Sequence, residues 1–531
     1  MRRLLSIACV AWLSCCLSFA SPASYRVSGA VRCEGKGIPG VAVSDGFSVV
    51  YTKADGSYTI SSDLKLGYVF ISTPSGYITA QEGPFPRFFR FPSTETGHPR
   101  GVDFNLKADP GQHSHTLVCM GDLHLADFHN DLKQFGDFVE DVNSFLESHP
   151  EQKFYGVTVG DMSWDQYWVI NRFSIRDAMA SVGRISGMPI YPVIGNHDYE
   201  LEKAGNIETS GAFRHVAGPV YYSFNIGDIH YVVLDAIECT NPGDGKRSYN
   251  RIIVEHELEW FRQDIAKVGA DRQLVIISHI PVSAIKNADK LFAQTERFTR
   301  PVHFVTAHYH SIQNTNRLKS TEGPRYYDHM AGCPAGSLWM TGYHSPGIHI
   351  CKDGAPGGYF LLYADGAYLS WQYKSTGHPL SYQFRVYDGN TVRLDPEKYV
   401  PDACRENLEA FRKIAGEWIR PEQENWIYLN VWGRDSEWKV EATENGKPLK
   451  VEICKRYDPL HIIAYPAKLL NSAAPAGKIP QNTIVSRHFV RFKASSKDSV
   501  IEIKVTDRFG NIYSETIERP LEFSTEAYSN K

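Results

Sequence analysis

The segment LVCMGDLH, residues 117–124, decides the fold of the central part of this chain. Its apolar run predicts a buried strand, and Asp122 and His124 follow where that strand ends. Because side chains alternate along extended backbone, these two side chains are expected to point the same way. A carboxylate beside an imidazole is a typical pair of ligands for a divalent metal ion.

Four further segments place metal-competent side chains after an apolar strand. They are Asp161 after residues 157–159, Asn196-His197-Asp198 after 190–194, His279 after 274–277, and His308-Tyr309-His310 after 302–305. If these strands lie in one sheet, all five segments meet at the carboxyl ends of its strands, where open α/β sheets bind ligands. Carboxylate, imidazole and amide oxygen without thiolate suit manganese, iron or zinc. The pattern therefore predicts a metal centre.

Strands alternate with helices around these segments. Apolar residues recur at helical spacing from Leu132 to Leu146, and residues 252–268 predict a second amphipathic helix. Such alternation is typical of an α/β domain, which we predict over residues 114–375.

Strand-rich sequence flanks this domain on both sides. Short β-rich runs and glycine turns predict a small all-β domain at 24–107, where Asp55-Gly56 indicates a hairpin between residues 49–52 and 58–60. A C-terminal β-sandwich domain is predicted over 385–531, with a hairpin at 500–517 and a helix at 405–414. The predicted fold is therefore α/β (α+β) and multi-domain, with small all-β domains at both ends.

The first twenty residues differ from the rest. A basic start, Met1-Arg2-Arg3, precedes an apolar run and small residues, which predicts a cleaved signal peptide over residues 1–20. A buried helix or membrane anchor is one alternative, although the run is too short for a hydrocarbon core of ~30 Å. Lipid attachment at Cys15 or Cys16 is another. We expect an exported protein of the periplasm or cell surface of a bacterium, with a lipid-anchored form as the alternative.

Composition restricts the partners. The 531 residues are enough for about three domains. Lys and Arg number 56 against 60 Asp and Glu, for a formal net charge of −4. Such a chain does not concentrate long nucleic acid around itself, and no transmembrane span is predicted.

The motifs GDLH, GD, GNHD, a strand-end His and AHYH resemble those of the calcineurin-like metallophosphoesterase superfamily. The resemblance covers roughly residues 114–375. In addition, the pattern GVAVSDG…TKADGSYTI resembles transthyretin-like modules that precede catalytic domains in an exported bacterial branch. The resemblance implies a central β-sandwich, flanked by helices, around two metal ions.

Roles for single residues follow from the resemblance. It implies that Asp122, His124 and His310 bind one metal, that Asp161 bridges, and that Asn196, His279 and His308 bind the other. His197 would protonate or stabilise the leaving oxygen, and Asp198 would orient His197 or a neighbouring ligand. Hydrolysis would proceed by in-line attack of a hydroxide that bridges the metals.

Some positions depart from the best-known branches. Ala307 replaces the usual glycine of GHxH, Trp164 stands where purple acid phosphatases carry Tyr, and GDMSWDQ lacks the Arg of protein Ser/Thr phosphatases. Trp164, Tyr167 and Trp168 are predicted to line the mouth of a substrate pocket, with core packing as the alternative.

The sequence therefore predicts an exported dinuclear-metal phosphoesterase that acts on a phosphomonoester or phosphodiester of a small molecule, lipid or glycan. One alternative is a non-catalytic surface protein that binds glycan or polymer on the same fold. Another is an exported nucleotidase or nuclease.

Overall fold

The computed structural model describes residues 24–95, 97–316, 324–334, 349–419, 424–476 and 484–525. The predicted signal peptide, residues 1–20, lies outside them. Within these ranges no helix combines the length and the apolar character needed to cross a membrane. The α/β, multi-domain prediction is confirmed, with a mixed central domain between two β-rich parts.

The N-terminal part consists of short strands in two facing sheets and a small hairpin. Its strands are β1 (Tyr25–Cys33), β2 (Lys36–Gly37), β3 (Ala42–Ser44), β4 (Val49–Tyr51), β5 (Ser57–Ser62), β6 (Val69–Ile71), β7 (Tyr77–Thr79), β8 (Gln81–Glu82), β9 (Phe85–Pro86), β10 (Phe89–Arg90) and β11 (Phe104–Ala108). One sheet runs β2-β1-β11-β7 with β5 beside β1, and the other runs β10-β6-β3-β4.

The Asp55-Gly56 turn forms, but the predicted hairpin is wrong. The backbone N–H of Gly56 donates to Lys53 O at 2.9 Å, as a tight turn requires. However, β4 pairs with β3 and β5 pairs with β1. The turn carries the chain from one sheet to the other, where Tyr58 and Ile60 of β5 are buried in the hydrophobic core, and this burial stabilises the pairing of β5 with β1.

The central part packs two sheets face to face. Its elements are β12 (Ser114–Met120), α1 (Asp131–Glu147), β13 (Phe154–Val159), α2 (Tyr167–Ile170), α3 (Ile175–Val182), β14 (Ile190–Val193), α4 (Asn206–Thr209), α5 (Gly211–Val216), β15 (Tyr222–Ile226), β16 (Ile229–Leu234), β17 (Glu238–Cys239), β18 (Tyr249–Asn250), α6 (Glu255–Ile265), β19 (Gln273–Ser278), a 3-10 turn (Val282–Ala284), α7 (Ala288–Thr295), β20 (Val302–Thr306), β21 (Ile312–Asn316), β22 (Tyr326–Ala331), β23 (Gly358–Asp365) and β24 (Tyr368–Ser375). The first sheet runs β14-β13-β12-β23-β24 and the second β15-β16-β19-β20-β22-β21.

Aromatic side chains join the two central sheets. Tyr191 of β14 stacks on Phe224 of β15 with ring centroids 3.8 Å apart, and His115 Nε2 lies 2.7 Å from the Tyr231 hydroxyl. On the outer face of the first sheet, Phe138 of α1 packs against Tyr359 of β23. Strands this apolar need cover on both faces, which the partner sheet and the helices supply.

The C-terminal part adds two four-stranded sheets and a helical cap. Its elements are β25 (Phe384–Asp388), α8 (Pro396–Tyr399), α9 (Arg405–Ala415), a 3-10 turn (Gly416–Trp418), β26 (Trp426–Val431), β27 (Lys439–Glu444), β28 (Lys447–Pro448), β29 (Glu452–Ile453), α10 (Pro459–Ala464), α11 (Pro466–Leu470), β30 (Phe489–Lys493), β31 (Val500–Thr506) and β32 (Ile512–Glu518). The predicted hairpin of β31 and β32 is confirmed, with Thr506 opposite Ile512. The predicted helix is α9.

Residues of the C-terminal part also donate hydrogen bonds to a loop of the central part. Asn430 Nδ2 donates to Asp353 O at 2.7 Å, and Arg385 donates to Gly354 O at 3.0 Å. Lys352, which precedes Asp353 in the same loop, donates its backbone N–H to His310 O at 3.0 Å. The C-terminal sheets therefore fix a segment that touches one of the predicted metal ligands.

The two central sheets meet closely where β12 and β20 end. Gly121 follows β12 and Ala307 follows β20, and a Cβ on Gly121 would lie 2.8 Å from the Ala307 Cβ. Ala307 is fully buried. The methyl group that replaces the usual glycine at 307 is therefore accommodated by the glycine at 121.

We predict that Gly121→Ala lowers the free energy of unfolding by about 1–3 kcal/mol, because it overpacks this contact. Adding Ala307→Gly to the same protein should recover most of the loss. Urea unfolding checks both variants. Gly136→Ala in α1, where a new methyl meets nothing nearer than 3.9 Å, is the control and should not destabilise. A double variant no more stable than Gly121→Ala alone would contradict this account.

Candidate metal centre

The structure brings all seven predicted metal ligands together, but from two sheets. Asp122 and His124 follow β12, Asp161 follows β13 and Asn196 follows β14, all in the first sheet. The second sheet supplies the remaining three, His279, His308 and His310. The single sheet considered from the sequence is therefore wrong. In both sheets the carboxyl ends of the strands that carry the ligands lie at the same edge of the sandwich, so the five segments still converge.

Donor atoms at this edge lie within metal-ligand distances of one another. On one side, His310 Nε2 is 2.9 Å from His124 Nε2 and 3.4 Å from Asp122 Oδ1. On the other side, His279 Nε2 is 3.1 Å from Asp161 Oδ2 and 3.2 Å from both Asn196 Oδ1 and His308 Nδ1. A distance of 3.6 Å between His124 Nε2 and Asp161 Oδ2 joins the two sides.

These donors fit divalent cations. Three overlapping groups each hold their donor atoms within 4.8 Å of one another: Asp122-His124-His310, Asp161-His279-His308, and His124-Asp161-His197, which shares one residue with each of the other two. Both carboxylate oxygens of Asp122 are buried and accept no hydrogen bond from the described residues, which is costly for a charged group without a cation. Nitrogen and oxygen donors without sulfur suit manganese, iron or zinc. The arrangement thus fits a centre of two divalent ions.

The ligand backbone is held in an unusual conformation. Five of the seven predicted ligands, Asp122, His124, Asp161, His308 and His310, have φ between 45° and 72°. This left-handed region costs non-glycine residues energy, and residues that occupy it cluster at functional sites. The positive φ turns each side chain inward just after its strand ends, which the alternation rule used for the sequence does not describe.

Asp161 connects three of the loops that carry predicted ligands, those after β12, β13 and β14. Its Oδ1 accepts the backbone N–H of His197 at 2.7 Å, and its carbonyl accepts that of His124 at 2.8 Å. A Cβ on Gly195 would lie 2.2 Å from the same Oδ1, so this position has no room for a side chain. Although burial raises it, the pKa of Asp161 is held well below its usual range by His279 and His197.

The carboxylate beside the His197 ring is Asp165, not Asp198. His197 Nδ1 lies 3.1 Å from Asp165 Oδ1, and Arg247 binds Asp165 in a two-pronged contact, with Nε 2.7 Å from Oδ2. Asp165 follows Asp161 by four residues, but no spacing rule singles it out and its partner Arg247 is distant in the chain. Burial raises the pKa of Asp165, yet His197 and Arg247 lower it overall.

Asp198 serves the neighbouring backbone. Its buried carboxylate accepts the N–H groups of Ser163 at 2.9 Å, Gly195 at 3.0 Å and Met162 at 3.2 Å. These bonds tie the loop after β13 to the loop after β14. Of the two roles considered for Asp198, the orientation of the His197 imidazole is therefore wrong, and support of the loop that carries Asp161 matches the contacts. Burial and the charge of Asp161 raise the pKa of Asp198.

Aromatic residues lie next to His197. The Trp164 ring is buried, with its centroid 6.4 Å from that of His197 and 4.6 Å from that of Tyr167. Tyr167 also packs on Phe128 at 4.6 Å, and Trp168 donates its Nε1–H to Ser163 Oγ at 3.0 Å. Tyr167 and Phe128 are half-buried, so both are open to a bound molecule. Phe128 was not singled out from the sequence.

Three sequence profiles match successive parts of the chain. They are described as the N terminal of calcineurin-like phosphoesterase over residues 25–109, calcineurin-like phosphoesterase over 115–311, and the C terminal of calcineurin-like phosphoesterase over 328–513. No curated protein sequence matches the chain.

Several solved structures are similar to part of this chain. Purple acid phosphatase PPD1 from yellow lupin (Lupinus luteus) is 12% identical over 64% of this chain and 67% of its own, with a TM-score of 0.32. The 5'-nucleotidase precursor from Thermus thermophilus is 13% identical over 49% of this chain and 54% of its own, with a TM-score of 0.29. Haemophilus influenzae NAD nucleotidase is 11% identical over 49% and 55%, also with a TM-score of 0.29. The match thus spans between about half and two thirds of those chains.

The donor cluster, from Asp122 to His310, lies wholly inside the central profile, and the two flanking profiles describe the parts that precede and follow it. We conclude that the chain belongs to the calcineurin-like phosphoesterases and is a metal-dependent phosphoric ester hydrolase.

Proposed function

We propose that the chain hydrolyses phosphoesters at a centre of two divalent cations held by the seven ligands. Asp122, His124 and His310 would hold one ion, Asn196, His279 and His308 the other, and Asp161 would contact both. One observation carries this proposal: donor atoms from both sheets form two groups of metal-binding size, and a third group, His124-Asp161-His197, joins them. Bound cations would supply Lewis acidity that activates water and stabilises charge on the phosphoryl oxygens.

His197 is proposed to move the proton. Its Nδ1 faces the Asp165 carboxylate, which fixes Nδ1 as the protonated nitrogen of the neutral ring and leaves Nε2 for the substrate. In the charged ring, Nε2–H would donate to the leaving oxygen, and Asp165 would stabilise the charge. Asp165 would be a positioning residue.

The aromatic cluster is proposed to contact the leaving group. Trp164, Tyr167 and Trp168 remain our predicted substrate-binding residues, to which the half-buried Phe128 is added. Flat apolar surfaces suit the faces of a sugar or an aryl group. We further propose that residues 24–107 and 385–531 are separate domains that support the central one, residues 114–375. The hold of Asn430 and Arg385 on the 353–354 loop supports this role.

Asp161→Asn should abolish metal-dependent hydrolysis, by at least about 100-fold, because the shared carboxylate loses its charge. Hydrolysis of mono- and bis-aryl phosphates with added Mn²⁺ measures the rate, and elemental analysis measures bound manganese, which should fall. Asp137→Asn, an exposed residue of α1, is the matched control and should behave as wild type. Equal, metal-independent rates from wild type and Asp161→Asn would favour the non-catalytic binding protein instead.

Asp165→Asn should lower kcat by about 10–100-fold while leaving bound manganese unchanged, because the imidazole loses the partner that orients it. The effect should be largest for poor leaving groups, which need a proton most. A pH–rate profile with phenyl and nitrophenyl phosphates measures it. If both substrates slow equally and manganese is lost as well, Asp165 is a structural residue of the metal centre and not a partner in proton transfer.

Export is proposed from the basic start Met1-Arg2-Arg3 and the apolar run that follows. Amino-terminal sequencing of the protein recovered from cell fractions is expected to begin just after Ala20. A start at Cys15 or Cys16 in the membrane fraction would identify the lipid-anchored form, and an intact Met1 in the cytoplasm would contradict export.

A further inference from the structure

Two arginines approach the metal centre from one segment, and their surroundings differ. Arg247 and Arg251 flank β18, Tyr249–Asn250. Arg247 is committed to Asp165, which neutralises it. Within the described part of the chain, by contrast, no carboxylate oxygen lies within 4 Å of the Arg251 guanidinium. One of the two cations therefore keeps its charge available.

Arg251 lies beside the ligands of the second ion. Its Nη1 donates to the Tyr309 hydroxyl at 3.1 Å, and its guanidinium lies 5.9 Å from the centre of the Tyr309 ring. Tyr309 stands between the predicted ligands His308 and His310 in the chain, and its ring centroid is 5.1 Å from that of His308. The hydroxyl thus anchors one of the five N–H groups that a guanidinium carries and leaves others to bind a ligand.

This side of the centre is partly open to solvent. Six of the seven predicted ligands are buried, and His308 is the half-buried one. Tyr309 and Arg251 are half-buried too. Among the described residues, the Arg251 guanidinium therefore lies on a solvent-accessible side of the centre.

We propose that Arg251 binds the phosphoryl group and makes the enzyme select dianionic phosphomonoesters over monoanionic phosphodiesters, with Tyr309 as its positioning residue. The inference rests on the proposed function and names the substrate class of that site. The dianionic monoester carries one more negative charge than the diester, so a guanidinium that no carboxylate neutralises binds the monoester more tightly. No covalent step is added. Arg251 supplies a cation that the sequence GDMSWDQ lacks.

The test compares Arg251→Gln with wild type on phenyl phosphate and diphenyl phosphate in Mn²⁺. We expect kcat/KM for the monoester to fall about 10- to 100-fold, the range of a lost charged hydrogen bond, and that for the diester to change less than about 3-fold. Arg262→Gln, which removes one positive charge from the exposed face of α6, is the matched control. Equal losses on both esters would overturn the proposal.

Two further variants separate binding from folding. Arg251→Lys keeps the charge but not the fork, so it should retain part of the monoester selectivity. Tyr309→Phe should raise KM for the monoester with little change in kcat. Titration calorimetry of the manganese-loaded proteins gives a readout without turnover: inorganic phosphate should bind Arg251→Gln at least about 10-fold more weakly than wild type, and dimethyl phosphate should bind both equally.

The outcomes distinguish the two proposals. If wild type hydrolyses both esters and Arg251→Gln keeps the wild-type ratio and phosphate affinity, the role of Arg251 is wrong while the proposed function stands. If wild type hydrolyses neither ester in any metal, the proposed function is wrong and the selectivity falls with it.

Discussion

The constraint on which the metal centre depends is the fixed position of one buried carboxylate. Asp161 follows a strand of the first sheet, and its backbone and side chain contact residues that follow three other strands, among them His124, His197 and His279. No side chain larger than hydrogen fits at Gly195, where the backbone passes Asp161 Oδ1. A shift of this residue would therefore move the loops after β12 and β14 together. Ligands from distant parts of the chain therefore keep one geometry, because all of them depend on the position of Asp161.

Such a centre is unfavourable to assemble. Five ligands hold left-handed backbone, at about 1–3 kcal/mol each, and the surrounding acids and imidazoles are buried. The rigid sandwich beneath offsets this strain, because aromatic contacts such as that of Tyr191 and Phe224 clamp the sheets. The Asp198 carboxylate adds three backbone bonds that hold the strained loops in register. Strain at the ligands is thus local, and the core under them is regular.

The sequence predicted the donors because each followed a short apolar strand, and the carboxyl ends of parallel strands meet at one edge of a sheet. The strands β12, β13 and β14 are parallel to one another, as are β19 and β20. The sequence also predicted α9 and the β31–β32 hairpin because both depend on neighbours in the chain. The sequence could not predict which strands pair across the chain. The Asp55-Gly56 turn formed as expected, but the strands on either side of it pair with the distant β1 and β3. Asp165 was missed for the same reason, since its role is set by His197 and Arg247, which lie 32 and 82 residues away.

The two arginines beside β18 have different partners. Arg247 is paired with the Asp165 carboxylate, whereas the charge of Arg251 stays available to a substrate. Burial alone would favour the protonated form of Asp165, and a protonated Asp165 would be a weaker acceptor for the Nδ1–H of His197 and could not stabilise the charged ring. His197 and the two-pronged contact from Arg247 lower the pKa of Asp165 despite its burial. The positive charge of Arg247 is thus engaged by Asp165 and is not directed at the metal ligands. Arg251 has a separate anchor, the neutral hydroxyl of Tyr309, which holds the guanidinium without cancelling its charge. Arg247, whose partner is the charged Asp165, therefore supports proton transfer. Arg251, whose partner is the neutral Tyr309 hydroxyl, keeps its charge for phosphate recognition.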